Sequence, residues 1–288
     1  MGVGRSPQPG NWPGEYARVE ITADRISQIA RDFGPDALLH AAGTASVGES
    51  VKEPFDDLKA SALTWANVLE GVRRSGKRPI MIFPSSAAVY GNPPSLPVNE
   101  DSPIQPISPY GFHKAISELL AREYAQGYDL DLIVCRFFSV FGSAQRRLLV
   151  WELYNQLVGA EATAWIDGSG SESRDYLYID DVVSALMGLI EQRLQNRSHF
   201  DGFSIINVGR GEETDVFTLA KHLRDLVAPE KEIRCRGNVR KNDPLRWRAD
   251  ISRLKAVLPG WRPKALSESL SDCVAAWQQG GRLAQHGS

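Results

Sequence analysis

The stretch that decides the fold combines PIMIFPSSAAVYG (residues 79–91) with SPYGFHK (residues 108–114). Its apolar beginning is predicted to be a buried strand, which places Ser85 and Ser86 at the carboxyl end of that strand. In open α/β sheets, ligands bind at this edge of the sheet. The stretch therefore predicts a parallel α/β fold with a ligand site beside the two serines.

A helix is predicted directly after Ser108, which is a favoured N-cap, with Pro109 as its first residue and Gly127 at its end. Tyr110 and Lys114 lie four residues apart, so their Cβ atoms are roughly 5 to 6 Å from each other on one helix face. A free tyrosine titrates near pH ~10, and bringing it to neutrality needs about 4 kcal/mol of preferential phenolate stabilisation. A neighbouring ammonium, a positively charged cofactor ring and a serine hydrogen bond can together supply that stabilisation.

Composition indicates a soluble globular protein rather than a nucleic-acid or membrane protein. The 288 residues are 42% hydrophobic and 24% charged, and the formal net charge is −2. We therefore expect small-molecule partners, no nucleic acid and no membrane. The sequence has neither a run of ~18 apolar residues nor a signal-peptide pattern, which predicts a cytoplasmic protein. Three scattered cysteines, Cys135, Cys235 and Cys273, predict reduced thiols and no metal site.

Strand and helix signals alternate over the first two-thirds of the chain, which argues for a parallel sheet flanked by helices. Residues 1–145 are predicted to form a Rossmann-like cofactor domain, to which residues 176–210 return. Residues 146–175 and 211–288 are predicted to form a smaller C-terminal substrate lobe. The Gly- and Pro-rich beginning, Met1 to Gly14, is predicted to be a loop.

Ser86 with Tyr110-x-x-x-Lys114 resembles the catalytic triad of the extended short-chain dehydrogenase/reductase family. SSAAVYG followed by PISPYGFHK resembles its NAD-dependent epimerase/dehydratase branch, which includes UDP-glucose 4-epimerases. The resemblance implies that Ser86, Tyr110 and Lys114 are catalytic. It also implies a homodimer, joined through the tyrosine helix and a helix predicted over residues 57–75.

The segment HAAGTASVGES (residues 40–50) resembles the loop that lies along the cofactor in this family. The resemblance implies NAD as the cofactor. Its implied ligands are His40, Ala41, Ala42, Gly43, Ser85, Tyr110 and Lys114. Arg5 falls near the residue that selects the cofactor, and an arginine there favours a 2′-phosphate, so NADP stays open.

Three further segments resemble the substrate-binding motifs of the epimerase branch. Ser139 stands where the family has an asparagine that holds the substrate's diphosphate. Arg174, in SRDYLYIDDV, is implied to contact phosphate, because a planar guanidinium suits bidentate binding. Arg240 and Asp243 are implied to bind the diphosphate and ribose. One of the two aspartates that end this motif, at positions 180 and 181, is predicted to be a helix N-cap.

The chain departs from the family pattern at its beginning. The G-x-x-G-x-x-G turn that cradles the cofactor pyrophosphate has no counterpart in the sequence. Aligned on the later motifs, the chain starts near the end of the second strand and lacks the usual first strand and helix. Buried backbone groups left unpaired by such a loss cost about 1 to 3 kcal/mol each. Ser61 stands where the family often has a structural asparagine.

These features predict a nucleotide-sugar 4-epimerase, with a UDP-sugar as substrate, that oxidises the sugar transiently at C4. An NADPH-dependent reductase of 4-keto-sugars retains the same triad and is the first alternative. A shortened, catalytically inactive binding protein is the second. Dehydration is disfavoured, because Ala87 and Ala88 stand where dehydratases of the family carry an acidic pair.

Overall fold

The computed structural model describes residues 1–7, 12–196, 202–238 and 244–285. These residues form two compact units. Unit 1 consists of residues 1–91, 103–136 and 190–206. Unit 2 consists of residues 92–102, 137–189 and 207–288.

The elements are numbered here in chain order. The strands are β1 (Gly2–Gly4), β2 (Tyr16–Arg18), β3 (Ala37–Leu39), β4 (Ile80–Ser86), β5 (Asp131–Phe137), β6 (Ser139–Phe141), β7 (Thr163–Ile166), β8 (Ser173–Arg174), β9 (Tyr176–Tyr178), β10 (Phe203–Val208), β11 (Thr214–Asp215) and β12 (Glu232–Cys235). The α-helices are α1 (Ala23–Phe33), α2 (Val47–Lys52), α3 (Pro54–Leu58), α4 (Thr64–Ser75), α5 (Pro109–Tyr128), α6 (Leu149–Val158), α7 (Ile179–Gln195), α8 (Val216–Val227), α9 (Ser252–Val257) and α10 (Leu266–Gln285).

The main sheet has the strand order β10–β5–β4–β3. Strands β3 and β4 run parallel, with Leu38 opposite Met81 and Leu39 opposite Ile82. Helices α1 and α4 pack on each other, and α4 buries Trp65 and other apolar residues against the sheet. This arrangement of a parallel sheet and covering helices confirms the predicted Rossmann-like α/β fold.

Strands β1 and β2 form a separate parallel pair outside the main sheet. The prediction of a loop over residues 1–14 is therefore wrong at Gly2–Gly4. The sequence signal was weak, because a three-residue strand with two glycines has no hydrophobic period. Val3 of β1 packs against the same apolar cluster as Leu38 of β3, so β1 and β3 contribute to one core.

The helix predicted over residues 57–75 is not continuous. It begins as α3, continues as a π-helical turn over Lys59–Leu63 and becomes α4, which ends at Gly76 in the left-handed conformation. A π-helical turn inserts one extra residue into the helix, and such turns are often found at functional sites. Ser61 lies within this turn and is buried.

Unit 2 has its own apolar core. Helices α6, α8 and α10 pack around the parallel pair β7–β12 and the strand β9. The buried members of this core include Leu153, Leu219 and Trp277. Within the described ranges, no helix is both long enough and apolar enough to cross a bilayer.

One predicted helix cap differs from the structure. Helix α7 begins at Ile179, so both of the following aspartates lie inside its first turn and neither is its N-cap. Negative charge in a first turn is favourable, because it lies at the positive end of the helix dipole. Helix α8 is capped by Asp215, whose carboxylate accepts a hydrogen bond from the Thr218 amide at 2.7 Å.

Candidate active site

The carboxyl end of β4 supplies the serine of the predicted triad. Ser86 ends the strand and caps a short 3₁₀ turn, Ala87–Tyr90, by accepting a hydrogen bond from the Ala88 amide at 3.2 Å. The Ser86 hydroxyl also hydrogen-bonds the Tyr110 phenol. The strand end therefore places a hydroxyl against the predicted acid–base tyrosine.

Helix α5 supplies the other two members. The Ser108 side chain caps it by accepting from the Gly111 amide at 3.2 Å, as predicted. Lys114 is 7% exposed, and its Nζ lies 5.6 Å from the centre of the Tyr110 ring. The same ammonium donates to the Pro84 carbonyl at 2.8 Å. The structure thus brings Ser86, Tyr110 and Lys114 together.

The electrostatics of this cluster are those of a buried site. Burial raises the pKa of Tyr110 to about 12; the Ser86 hydrogen bond lowers it and the Asp57 charge raises it. Burial lowers the pKa of Lys114 to about 8, against the raising effects of Asp57 and Glu118. The protein alone therefore favours a neutral phenol. A cation bound beside the ring is needed to bring its pKa toward neutrality.

His40 lies next to this cluster, at the end of β3. Its ring is 6% exposed and packs on Trp65, with the ring centres 4.7 Å apart. Burial, followed by the nearby Lys114 charge, lowers the pKa of His40 to about 3. His40 is therefore a neutral imidazole at physiological pH, and its predicted contact with the cofactor stays a prediction.

A buried ion pair lies behind the triad. Arg136 and Glu118 make two hydrogen bonds, of 3.0 and 2.7 Å, and both side chains are at least nine-tenths buried. Ser85 donates to the same carboxylate at 2.5 Å, and the guanidinium donates to the Tyr90 hydroxyl at 2.8 Å. The hydroxyl of Ser85 therefore points to Glu118, and its predicted role in cofactor binding stays a prediction.

The loop after β3 fits the nicotinamide end of a dinucleotide. Gly43 has a φ of +134°, a conformation that favours glycine, and it lies against the π-helical turn. Ala41 and Ala42 precede it; both are exposed and have small side chains. Further along the segment, Ser50 accepts a hydrogen bond from the Tyr110 amide at 3.0 Å. The loop and the catalytic helix are thus joined directly.

The diphosphate end is different. The Gly2 amide donates to the Glu15 carbonyl at 2.7 Å, and the Gly4 carbonyl accepts from the Val19 amide at 2.9 Å. The backbone groups of both glycines therefore face β2. Since backbone groups alternate along a strand, those of Val3 point to the other side. Within the described ranges, β1 pairs only with β2 and continues into a bend rather than a helix. The described residues therefore fit the nicotinamide end, and residues 5–7 after β1 form a bend.

Two of the predicted substrate residues of unit 2 lie on short strands of separate two-stranded sheets. Ser139 begins β6, and its amide donates to the Asp175 carbonyl at 2.9 Å. Arg174 lies in β8, with its guanidinium 5.2 Å from the Trp247 ring centre. Arg240 and Asp243, the other two predicted substrate residues, lie outside the described residues.

Asp175 organises the loop that follows β10, a role that sequence reasoning missed. Its buried carboxylate accepts from the amides of Arg210, Gly211 and Ala249 at 2.7 to 3.1 Å. Burial raises the pKa of Asp175 to about 6, although these hydrogen bonds lower it. Its partners are 35 to 74 residues away in sequence, so no local pattern could identify it.

Asp57 and His113 form a second contact that the sequence did not reveal. Asp57 is 3% exposed, and its Oδ2 lies 2.5 Å from Nδ1 of His113. Thr44 donates to the other carboxylate oxygen and lies 3.1 Å from the Ser61 hydroxyl. The only sequence signal was the position of His113 within the Tyr110-x-x-x-Lys114 motif.

Comparison with known proteins identifies the family of the chain. The model of the NAD dependent epimerase/dehydratase family matches residues 2–209. A UDP-glucose 4-epimerase from Mycolicibacterium smegmatis is 30% identical over 264 residues, which cover 90% of this chain and 82% of the relative. A putative UDP-glucose 4-epimerase from Methanocaldococcus jannaschii is also 30% identical, over 87% of this chain and 79% of the relative.

Solved structures show the same similarity. UDP-glucose 4-epimerase from Thermotoga maritima, solved with UDP-glucose, superposes with a TM-score of 0.84 at 27% identity, over 96% of this chain and 90% of that chain. UDP-N-acetylglucosamine 4-epimerase from Methanobrevibacter ruminantium superposes with a TM-score of 0.81 at 25% identity, over 92% and 83%. The triad geometry, the family match and these relatives agree: the chain belongs to the NAD dependent epimerase/dehydratase family.

Proposed function

We propose that the chain is a nucleotide-sugar 4-epimerase that acts on a UDP-sugar by transient oxidation at C4. The observation that carries this proposal is the cluster of Ser86, Tyr110 and Lys114 at the carboxyl end of β4. A partly buried phenol that accepts a serine hydrogen bond and lies beside an ammonium is equipped to take a proton from a hydroxyl.

Each member of the cluster has one task. Tyr110 takes the proton of the sugar 4-hydroxyl on its phenolate oxygen and returns it at the end of the cycle. Ser86 hydrogen-bonds the reacting oxygen and the phenol, which holds the two together. Lys114 supplies positive charge that favours the phenolate and binds the ribose next to the nicotinamide.

The cofactor in this proposal is NAD, with NADP as the alternative. When bound, NAD accepts a hydride from C4 and gives it back, so that no net oxidation occurs. The residues that hold its nicotinamide end are Tyr110, Lys114 and the loop from His40 to Gly43. All of these residues belong to unit 1, which we assign as the cofactor unit.

The strand end also favours epimerisation over dehydration. Ala87 and Ala88 follow Ser86, and both are buried, at 0% and 4% exposed. Elimination of water needs an acid and a base at C5 and C6, and two methyl groups supply neither. The chain is therefore expected to leave C5 and C6 unchanged.

The decisive variant is Tyr110→Phe, which removes only the phenol oxygen. We expect its epimerase turnover to fall on the order of 10²- to 10⁴-fold, as for other lost proton-transfer groups. The assay follows interconversion of UDP-glucose and UDP-galactose by the purified chain with added NAD. Tyr128→Phe, an exposed tyrosine on the same helix, is the matched control. Unchanged turnover in Tyr110→Phe would refute the assignment.

A reductase of 4-keto-sugars is the second candidate, and Arg5 favours it. Arg5 follows β1, where positive charge suits the 2′-phosphate of NADP. A reductase consumes one NADPH for each sugar reduced, whereas an epimerase regenerates its cofactor. Stoichiometric loss of NADPH absorbance with a 4-keto-sugar nucleotide, without UDP-glucose epimerisation, would establish the reductase.

We assign substrate binding to unit 2. Arg174 presents a guanidinium that stacks on Trp247, and a stacked, planar cation is suited to a diphosphate. Loss of this cation in Arg174→Met is expected to raise KM for the UDP-sugar at least tenfold and to leave the affinity for NAD unchanged. A variant with normal KM would remove Arg174 from the substrate site.

We further propose that the chain forms a homodimer through helix α5. Phe112, Ile116 and Leu119 recur at helical spacing on this helix and are 53%, 42% and 63% exposed. Apolar side chains this exposed on one helix face are typical of protein interfaces. Light scattering should give a dimer for the native chain and a monomer for Leu119→Glu. A native monomer would contradict this proposal.

The cysteines support a cytoplasmic location. All three are unpaired thiols, and two of them, Cys135 and Cys273, are buried. Burial raises the pKa of Cys135 to about 12, so this thiol is unreactive at physiological pH. Scattered reduced thiols are characteristic of proteins from a reducing compartment.

A further inference from the structure

The pair formed by Asp57 and His113 lies beside the triad and has no part in the mechanism described above. The two side chains join α3 to the first turns of α5 through the 2.5 Å contact between Oδ2 and Nδ1. Asp57 is 3% exposed, and the His113 side chain is 12% exposed. A buried carboxylate needs such partners, because leaving it unpaired is costly.

The position of His113 gives this contact its significance. His113 follows Tyr110 by three residues, which is about one helical turn, and directly precedes Lys114. A second contact holds the same turn, because the Tyr110 amide donates to the Ser50 hydroxyl at 3.0 Å. The start of the catalytic helix is therefore fixed at two points by the segment that follows β3.

The other carboxylate oxygen extends this connection to the cofactor loop. Thr44 donates to it, and the Thr44 hydroxyl lies 3.1 Å from Ser61 in the π-helical turn. Four side chains thus connect the loop, the π-helical turn, α3 and α5. Ser61, which stands where the family often has an asparagine, is thus part of a hydroxyl–carboxylate–imidazole chain.

Asp57 also contributes charge. The titratable groups that act on Lys114 are Asp57 from α3, Glu118 and Tyr110 from its own helix, and His40 from the end of β3. Glu118 is already engaged by Arg136, so its charge is largely offset. Asp57 is therefore the main carboxylate that opposes the effect of burial on the ammonium.

We propose that Asp57 and His113 are positioning residues for Tyr110 and Lys114: the pair fixes the first turns of α5, and the carboxylate keeps Lys114 protonated. The kinetic part of this inference rests on the proposed epimerase function. The part that concerns Lys114 is a property of the chain without cofactor or sugar, and it can be measured separately.

The test measures ionisation of Lys114 by NMR. The carbon-13 shift of its ε-carbon is followed against pH in the purified chain, and its signal is assigned by its disappearance in Lys114→Arg. In Asp57→Asn we expect the midpoint to move to lower pH by at least half a unit, because a negative charge near an ammonium favours the protonated form. Asp56→Asn, an exposed neighbour that pairs with Lys59, should leave it unchanged.

Kinetics provide the second readout. Activity should fall as pH rises through the Lys114 midpoint, near 8 in the native chain. In Asp57→Asn this fall should occur at lower pH, with kcat reduced more at pH 8 than at pH 6.5. His113→Asn, which keeps a donor near the carboxylate, should retain more activity than His113→Leu.

The outcomes are distinguishable. An unchanged Lys114 midpoint in folded Asp57→Asn would overturn the inference, whatever the enzyme activity. A native chain without epimerase activity, but with the expected shift of midpoint, would overturn the proposed function and leave the charge role of Asp57 supported. Equal activity of His113→Asn and His113→Leu would overturn the positioning role of His113.

Discussion

Strands β3 and β4 are neighbours in one sheet, yet their surroundings differ sharply. Ile82 of β4 is fully buried, whereas Leu39, its partner in β3, is 49% exposed. The end of β4 is surrounded by hydrogen bonds, ion pairs and the catalytic cluster. The other edge of β3 has no strand beside it in the described part of the chain.

This difference separates the two ends of a bound dinucleotide. In the proposed mode of binding, the nicotinamide end meets side chains that are buried, charged and held by other side chains. The backbone groups of Asp36 and His40, which flank β3, hydrogen-bond β4. Because backbone groups alternate in direction along a strand, those of Ala37 and Leu39 point away from β4 at the diphosphate end. Those of Val3 likewise point away from β2. The two strands that flank this end of the sheet therefore differ from the surroundings of the proposed catalytic cluster.

The largest effect is expected from the buried ion pair behind the triad. Glu118→Ala leaves Arg136 buried without its carboxylate, and breaking such a pair costs about 3 to 5 kcal/mol of unfolding free energy. Urea unfolding of the variant measures this loss. Glu123→Ala, at an exposed position of the same helix, is the control. Equal stability of the two variants would show that the β4 side is not specially stabilised.

The two paired strand residues give the next comparison. Ile82→Ala removes fully buried methyl groups and should cost about 2 to 5 kcal/mol. Leu39→Ala, across the ladder, should cost less because half of that side chain is already in water. Urea midpoints of the two variants test this directly. A Leu39→Ala cost as large as that of Ile82→Ala would mean that the β3 edge is covered in solution.

A smaller effect is expected from pH. The pKa of Lys114 is about 8 in the folded chain and 10.5 in its ordinary state, so between these values the unfolded chain binds more protons. The unfolding free energy contributed by this residue therefore rises with pH, by about 1 kcal/mol between pH 8 and pH 9. Comparison with Lys114→Met isolates this contribution, and Lys52→Met, an exposed lysine, is the control. A stability difference independent of pH would contradict the lowered pKa.

Local signals predicted what depends on a few adjacent residues. The start of α5 was predicted because Ser108, Pro109 and the apolar spacing are neighbours in sequence. Its end at Tyr128 lies one residue past Gly127, where Asp129 adopts the left-handed conformation instead. Adjacent residues thus predicted the start of the helix that carries Tyr110, but they did not predict the residue at which it ends.

The remaining parts of the site depend on distant residues. Asp57 and His113 are 56 positions apart, and Ser85 reaches Glu118 across 33 positions. No periodicity or spacing encodes such pairs. The π-helical turn around Ser61 was missed for a related reason, since its sequence is compatible with a regular helix.

One measurement tests this separation most directly: calorimetric titration of the native chain with NAD and with ADP, repeated with Lys114→Met. ADP carries the diphosphate end of NAD without the nicotinamide and its ribose. If the built part of the site is the nicotinamide end, NAD binds at least ten times more tightly than ADP, and Lys114→Met loses this preference. Equal affinities for NAD and ADP, or a preference that survives in Lys114→Met, would contradict the account.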